Sequence, residues 1–307
     1  MILGVLGGSG LYDFEGLEDV RAHVVTTPFG EPSGPVIAGH LGGAALLFLA
    51  RHGRGHRLLP SEINYRANVH ALKQLGAERV LSVSAVGSLR AGLAPGDVVL
   101  VDQFIDRTYR RATTFFGEGV AGHVSFADPV CAALAGSVAE AARAAGFAEA
   151  GEGARDHEPP EPRGQVGPNK PSLHRGGTYV CMEGPQFSTR AESRLHRAWG
   201  ADTIGMTAAT EAKLCREAEL CFSALALVTD FDSWHEDEAP VTTEAVVATL
   251  LANVSRARDV VRRVLPMVQG ARTCACGQAA AHAIMTAPEA IPASTRERLR
   301  VLYGRYL

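Results

Sequence analysis

The nine residues Cys221–Thr229, CFSALALVT, constrain this chain more than any other stretch. They are almost wholly apolar and lack a two-residue alternation, which is the pattern of a strand buried on both faces of a sheet. The run ends abruptly at Asp230-Phe231-Asp232.

Other segments are consistent with such a sheet. Ile2–Leu6 is a short apolar run ending in Gly7-Gly8-Ser9-Gly10, a strand followed by a tight turn. Val36–Ala38, Ala44–Ala50, Val80–Val83, Asp97–Asp106, Thr178–Met182 and Thr203–Met206 read as further strands. Ser61–Leu75 has helical spacing and is closed by Gly76. Pro129–Ala145, Ala191–Trp199, Ala208–Ala218 and Thr243–Leu265 are the other expected helices. Strands and helices alternate, which predicts an α/β sandwich around a mostly parallel or mixed sheet. We expect one domain over residues 1–307. Residues 149–175, rich in Gly, Pro and charge, are expected to be a flexible loop insertion. Residues 270–307 are expected to form a polar C-terminal tail with a helix around Thr295–Tyr303.

Composition narrows the function classes. Hydrophobic residues make up 46%, charged residues 21%, and the net charge is −3, as in an ordinary globular enzyme. No basic excess points to a nucleic-acid partner. No apolar run is long enough to span a bilayer, and Met1–Tyr12 lacks the basic start of a signal peptide, so a cytoplasmic location is expected. Cys131, Cys181, Cys215 and Cys221 sit singly among apolar residues, as small buried hydrophobes do. Cys274 and Cys276 form a C-x-C pair, and only His282 lies near it as an extra ligand. A zinc site usually needs four ligands, so a surface disulfide, or no special role, is expected instead of a metal.

Several polar groups sit where strands end, the place at which open α/β sheets bind ligands. Gly7-Gly8-Ser9-Gly10 offers N–H groups and a hydroxyl to an anion. It also reads as a plain turn, and its spacing fails the dinucleotide fingerprint. Arg51-His52 follows a buried strand, and an arginine fork matches phosphate oxygens. Arg54 and His56 follow closely, and the group also reads as a solvated basic turn. Ser84-Ala85 and Thr207 complete a phosphate cup of three hydroxyls, one Arg and one His. Asp230 and Asp232 follow the most buried strand. One of them suits a helix N-cap, or both face one ligand from the same side of an extended segment.

With these residues stand longer stretches: Asn64-Tyr65-Arg66-Ala67-Asn68, Asp102–Thr108, the run Glu183-Gly184-Pro185-Gln186-Phe187-Ser188-Thr189-Arg190-Ala191-Glu192-Ser193, and Thr229–Trp234. On them the chain resembles the methylthioadenosine phosphorylase branch of the trimeric purine nucleoside phosphorylases, over nearly its whole length. The resemblance implies a three-layer α/β/α sandwich with a central mixed β-sheet, and a homotrimer with shared active sites. It implies neither a metal nor an organic cofactor, with inorganic phosphate as co-substrate. The implied reaction is phosphorolysis of 5'-methylthioadenosine, with inversion, to adenine and 5-methylthioribose 1-phosphate. This is pentosyl transfer serving purine and methionine salvage.

The same resemblance places phosphate on Ser9, Arg51, His52, Ser84, Ala85 and Thr207. Met206 lies under the ribose and Phe187 belongs to the substrate pocket. Asp230 and Asp232 are the catalytic, base-reading acids. Val241, Val246 and Val247 line an apolar slot for the 5'-methylthio group, with Thr243 more polar than that slot prefers. His123 reaches a neighbour's 5' pocket, where it otherwise reads as an ordinary loop histidine. Relatives acting on 6-oxopurines have Asn at the position of Asp230, so an acid there argues for a 6-amino base. The competing readings are a 6-oxopurine or broad-specificity phosphorylase, a nucleotide-binding oxidoreductase, and a binding module that has lost catalysis.

Overall fold

The structure, a computed structural model, describes residues 1–8, 16–150, 171–235 and 242–307. Ser9, Val241 and most of the expected insertion (151–170) lie outside these residues.

The described strands are β1 (Ile2–Gly7), β2 (Glu18–His23), β3 (Val36–Leu41), β4 (Ala44–Ala50), β5 (Ala77–Ser88), β6 (Val98–Val101), β7 (Gln103–Asp106), β8 (Ala148–Glu149), β9 (Ser172–Arg175), β10 (Thr178–Cys181), β11 (Thr203–Gly205) and β12 (Cys221–Asp230). They form one mixed sheet in the order β2-β3-β4-β1-β5-β12-β6-β9-β8. The central strands β4, β1, β5 and β12 run parallel, so their C-terminal ends share one edge of the sheet.

Helices cover both faces. α1 (Tyr65–Gln74), α4 (Ala208–Glu217) and α6 (Ala293–Tyr303) share one core with the sheet, and α2 (Ala132–Ala144) and α5 (Thr243–Met267) share the other. β12, buried on both faces, shows why two cores are needed. Phe222, Ala224, Ala226 and Val228 of β12 enter the first core, while Cys221, Leu225 and Leu227 enter the second. α3 (Arg190–Ala198) packs near the end of β12. It starts at a capping box, in which Thr189 and Glu192 satisfy each other's backbone N–H groups.

β5 links two parts of the sheet. Most of it runs between β1 and β12, but Gly87 and Ser88 pair antiparallel with β11, which leads to β10 and β7. β12 carries a register shift beside this fork, between Val228 and Asp230. Such an extra residue bends a strand and re-aims its side chains, and it is common next to functional sites.

Some expectations need correction. The strand expected over Val80–Val83 is longer: β5 continues through Ser84–Ser88. Asp97–Asp106 is two strands, broken at Asp102, whose carboxylate accepts from the Gly177 N–H at 3.0 Å. β2 was not anticipated because all but His23 of its residues are exposed, leaving no apolar pattern to read. β9 falls within the expected loop insertion. The C-terminal segment is no polar tail: Ile291, Leu299, Leu302 and Tyr303 are buried, and the Tyr303 ring stacks on Phe116.

Candidate active site

The parallel strand ends bring the loop after β4, the end of β1 and the Ser84 region of β5 close to one another. The Arg51 N–H donates to the Gly7 carbonyl at 3.0 Å, so the loop after β4 lies against the start of the glycine turn after β1. Gly7 also lies opposite Val83 of β5, immediately before Ser84. Ser84 and Ala85 are half-exposed in an otherwise buried stretch of strand. Thr207 is the N-cap residue of α4, and its hydroxyl makes no capping hydrogen bond.

Arg51 is not the open fork expected. Its side chain is buried, and Nε and Nη2 hold the two carboxylate oxygens of Glu211. Nη2 also donates to the Leu6 carbonyl and to the Ser82 hydroxyl at 2.9 Å, and Nη1 donates to the Val83 carbonyl at 3.2 Å. A guanidinium has five N–H groups. Among the described residues, one Nη1 N–H is left without an acceptor. Burial works to lower the basicity of Arg51, but Glu211 outweighs it and the guanidinium stays fully charged.

His52 donates from Nδ1 to the Leu58 carbonyl at 2.9 Å and stacks on His56, with ring centroids 4.2 Å apart. Burial drives its pKa down to about 4, against that hydrogen bond and with help from the Arg51 charge. The ring is therefore neutral at pH 7, and Nε2 is an acceptor.

The two acids meet at the fork of the sheet. Asp230 Oδ2 accepts from the Thr229 hydroxyl at 2.7 Å, and Oδ1 accepts from the Asp232 N–H at 2.8 Å. The second carboxylate does not follow by strand alternation. Asp232 begins a 3-10 turn (Asp232–Trp234) with φ +48°, so a tight turn and not an extended segment brings it beside Asp230. Asp232 is buried, and its Oδ2 has no hydrogen-bond partner among the described residues. A buried, unpaired carboxylate oxygen is costly unless a ligand completes it. Burial raises the Asp230 pKa above the usual carboxylate range, Asp232 adds to this, and the two hydrogen bonds oppose it. Gly87 forms the floor, because a Cβ there would lie 2.9 Å from Asp230 Oδ1 and 3.2 Å from Asp232 Cβ.

A third wall comes from the Glu183–Ser193 run. Glu183 accepts from the N–H groups of Tyr109 and Arg110 and pairs with Arg111 Nε at 2.9 Å. Arg111 then reaches the Tyr65 hydroxyl and the carbonyls of Glu183 and Met206. Met206 packs over Gly184, where a Cβ would strike its sulfur. Ser233 donates to the Ser188 carbonyl at 2.7 Å, tying this wall to the Asp232 turn, and Phe187 stands 41% exposed beside that contact. Arg111 and Glu211 were missed from sequence. Each acts through a partner 72 or more residues away, and nothing local marks them.

Val246 is half-buried and Val247 is 44% exposed, both near the start of α5. Val241 and Ser9 lie outside the described residues. His123 is exposed, and its backbone is held by the Ala283 carbonyl at 2.9 Å. Among the described residues, no hydrogen bond or ion pair joins its side chain to the site of its own chain. The cysteine reading is also corrected. Cys131 and Cys221 are not isolated; they converge with Cys274 and Cys276, and His282 is not part of the group.

Comparisons with known proteins show the family of the chain. A family model described as the phosphorylase superfamily matches residues 2–266. The S-methyl-5'-thioadenosine phosphorylase of Geobacter sulfurreducens is 50% identical over 307 residues, covering 100% of this chain and 99% of that protein. The enzyme of the same name from Koribacter versatilis is 51% identical over 304 residues, covering 99% and 96%. Among solved structures, a methylthioadenosine phosphorylase from an antarctic soil metagenomic library superposes with a TM-score of 0.86 at 42% identity, covering 98% of each chain. The Schistosoma mansoni methylthioadenosine phosphorylase, solved in complex with adenine, gives 0.81 at 36% identity, covering 91% of this chain and 96% of that one. The chain belongs to the phosphorylase superfamily, in its S-methyl-5'-thioadenosine phosphorylase branch.

Proposed function

We propose that this enzyme phosphorolyses 5'-methylthioadenosine to adenine and 5-methylthioribose 1-phosphate, a pentosyl transfer that uses phosphate as co-substrate. The observation that carries the base assignment is the acid pair Asp230 and Asp232. One carboxyl has a raised pKa, and the other keeps a buried oxygen without a partner among the described residues. A 6-amino group and a protonated N7 are donors, and carboxylates accept from both.

In this reading a phosphate oxygen attacks C1' of the ribosyl group while the bond to purine N9 breaks. The electron pair of that bond stays on the purine, and the proton of Asp230 passes to N7, so adenine leaves neutral. Burial shifts the Asp230 pKa upward, the direction that favours a general acid. Phosphate is held by Ser9, Ser84, Ala85, Thr207 and the Nη1 N–H of Arg51 that has no acceptor among the described residues. The neutral His52 accepts from a phosphate O–H through Nε2. The Arg51–Glu211 pair acts as a rigid mount and contributes little net charge. The phosphate dianion then stabilises the positive charge that develops on the ribose. Met206 and Phe187 support the nucleoside, and Val241, Val246 and Val247 take the methylthio group. The same reading makes the enzyme a cytoplasmic homotrimer without an organic cofactor, with His123 exposed so as to enter a neighbour's site.

Steady-state assays with methylthioadenosine, adenosine, methylthioinosine and inosine test this reading. Adenine release that requires phosphate, fastest with methylthioadenosine, is the expected result. A preference for inosine overturns the base assignment, and equal use of adenosine overturns the methylthio assignment.

A further inference from the structure

Four cysteines converge far from the active site. Cys131 is the N-cap residue of α2, and its N–H donates to the Phe222 carbonyl at 2.8 Å. Cys221 opens β12. Cys274 and Cys276 flank Ala275 at the start of a 3-10 turn (Ala275–Gln278). Their four Sγ atoms lie within 4.8 Å of one another, with Cys221 and Cys274 3.3 Å apart. Three of the four residues are buried and Cys274 is partly so.

We propose that Cys131, Cys221, Cys274 and Cys276 form a closed, tetrahedral thiolate site for one structural metal ion, zinc by donor type. Four sulfurs are a complete ligand set, as in structural zinc sites that leave no open position. With zinc–sulfur bonds of about 2.3 Å, the sulfurs of a tetrahedron stand about 3.8 Å apart, close to the observed spread. Soft thiolates select zinc or iron over magnesium or calcium. The N-cap position of Cys131 favours its thiolate, because the helix N-terminus carries partial positive charge. Simple apolar packing does not require four sulfur atoms to point at one another. The C-x-C spacing is tighter than in most zinc motifs, and here the turn at Ala275 brings both sulfurs to one side.

The site is not catalytic. Cys221 and Asp230 are opposite ends of β12, nine residue steps or about 30 Å apart. The ion would instead fasten the C-terminal segment to the base of the sheet and to α2. That segment carries Ala283, whose carbonyl holds the His123 loop, so metal loss also loosens that loop.

The test uses the full chain, purified under reducing conditions without chelator. Elemental analysis is expected to find about one equivalent of zinc or iron per chain, released when a mercurial titrates the thiols. Anaerobic reconstitution with cobalt is expected to give the intense ligand-field and sulfur charge-transfer bands of a tetrahedral tetrathiolate. Cys276→Ser is expected to lose most of the metal and to melt at a lower temperature. If that variant does not fold, the cobalt spectrum of the unaltered chain decides alone. A chain that is metal-free as purified and takes up neither zinc nor cobalt overturns the proposal. Peptide mapping that finds these four cysteines joined as disulfides also overturns it.

Discussion

The guanidinium of Arg51 grips the carboxylate of Glu211 with two N–H groups, and both side chains are 2% exposed. The pair joins the end of β4 to α4 beneath the proposed phosphate cup. Breaking a buried pair by removing one partner leaves an uncompensated charge, at about 3–5 kcal/mol. Glu211→Gln is therefore expected to lower the melting temperature by roughly 6–10 °C, at about 2 °C per kcal/mol for a chain of this size. Differential scanning calorimetry checks this, and an unchanged melt would show that the pair is not part of the frame.

Asp230→Asn removes the proposed proton donor and offers an amide to the base. General acids contribute about 10²–10⁴ in rate. A fall of that order in kcat/KM for methylthioadenosine is expected, with a smaller fall for methylthioinosine. An equal loss on both substrates would reject the base-reading role.

The pH profile tests the same residue. Burial holds the Asp230 pKa above its ordinary value, so the acid form that donates a proton is lost as pH rises through that raised pKa. The alkaline limb of kcat/KM is expected to move in opposite directions in two variants. Asp232→Asn removes a like charge, which lowers the Asp230 pKa and shifts the limb to lower pH. Thr229→Val removes a hydrogen bond to the charged form and shifts it to higher pH. Limbs that stay in place would assign the titration to another group.

Gly87→Ala places a methyl group 2.9 Å from Asp230 Oδ1. The acids must move by some tenths of an ångström. A loss of up to about a hundredfold in kcat/KM is expected with the fold retained, because small misplacements of catalytic groups are that costly. Near-normal kinetics would mean that the acids tolerate displacement.

His70 is 1% exposed, and neither ring nitrogen has a partner among the described residues. Burial pushes its pKa from 6.5 down to about 4. The unfolded chain then binds more protons than the native one between those values, so stability falls as pH drops from about 6.5 toward 4. By pH 5 this one group costs about 2 kcal/mol. Urea midpoints at pH 7 and pH 5 should differ less in His70→Leu than in the parent chain. An equal difference in both would exclude His70 as a source of acid sensitivity.

Local pattern alone made most of the frame readable. The double-sided apolar run at Cys221–Thr229, the helical spacing before Gly76 and the cap residues are properties of neighbouring residues. The positions of Arg51, His52, Thr207, Asp230 and Asp232 at element ends were legible for the same reason. Tertiary structure decided what these residues touch. It turned the Arg51 fork onto Glu211, 160 positions along the chain, and left one N–H without an acceptor among the described residues. It set Asp232 beside Asp230 through a turn with positive φ, where strand alternation had been expected. It gathered Cys131, Cys221, Cys274 and Cys276 from three distant segments into one cluster. Hydrophobic periodicity records which face of an element is buried. Which far-off side chain meets that face depends on how the sheet is ordered, and no window of sequence contains that information.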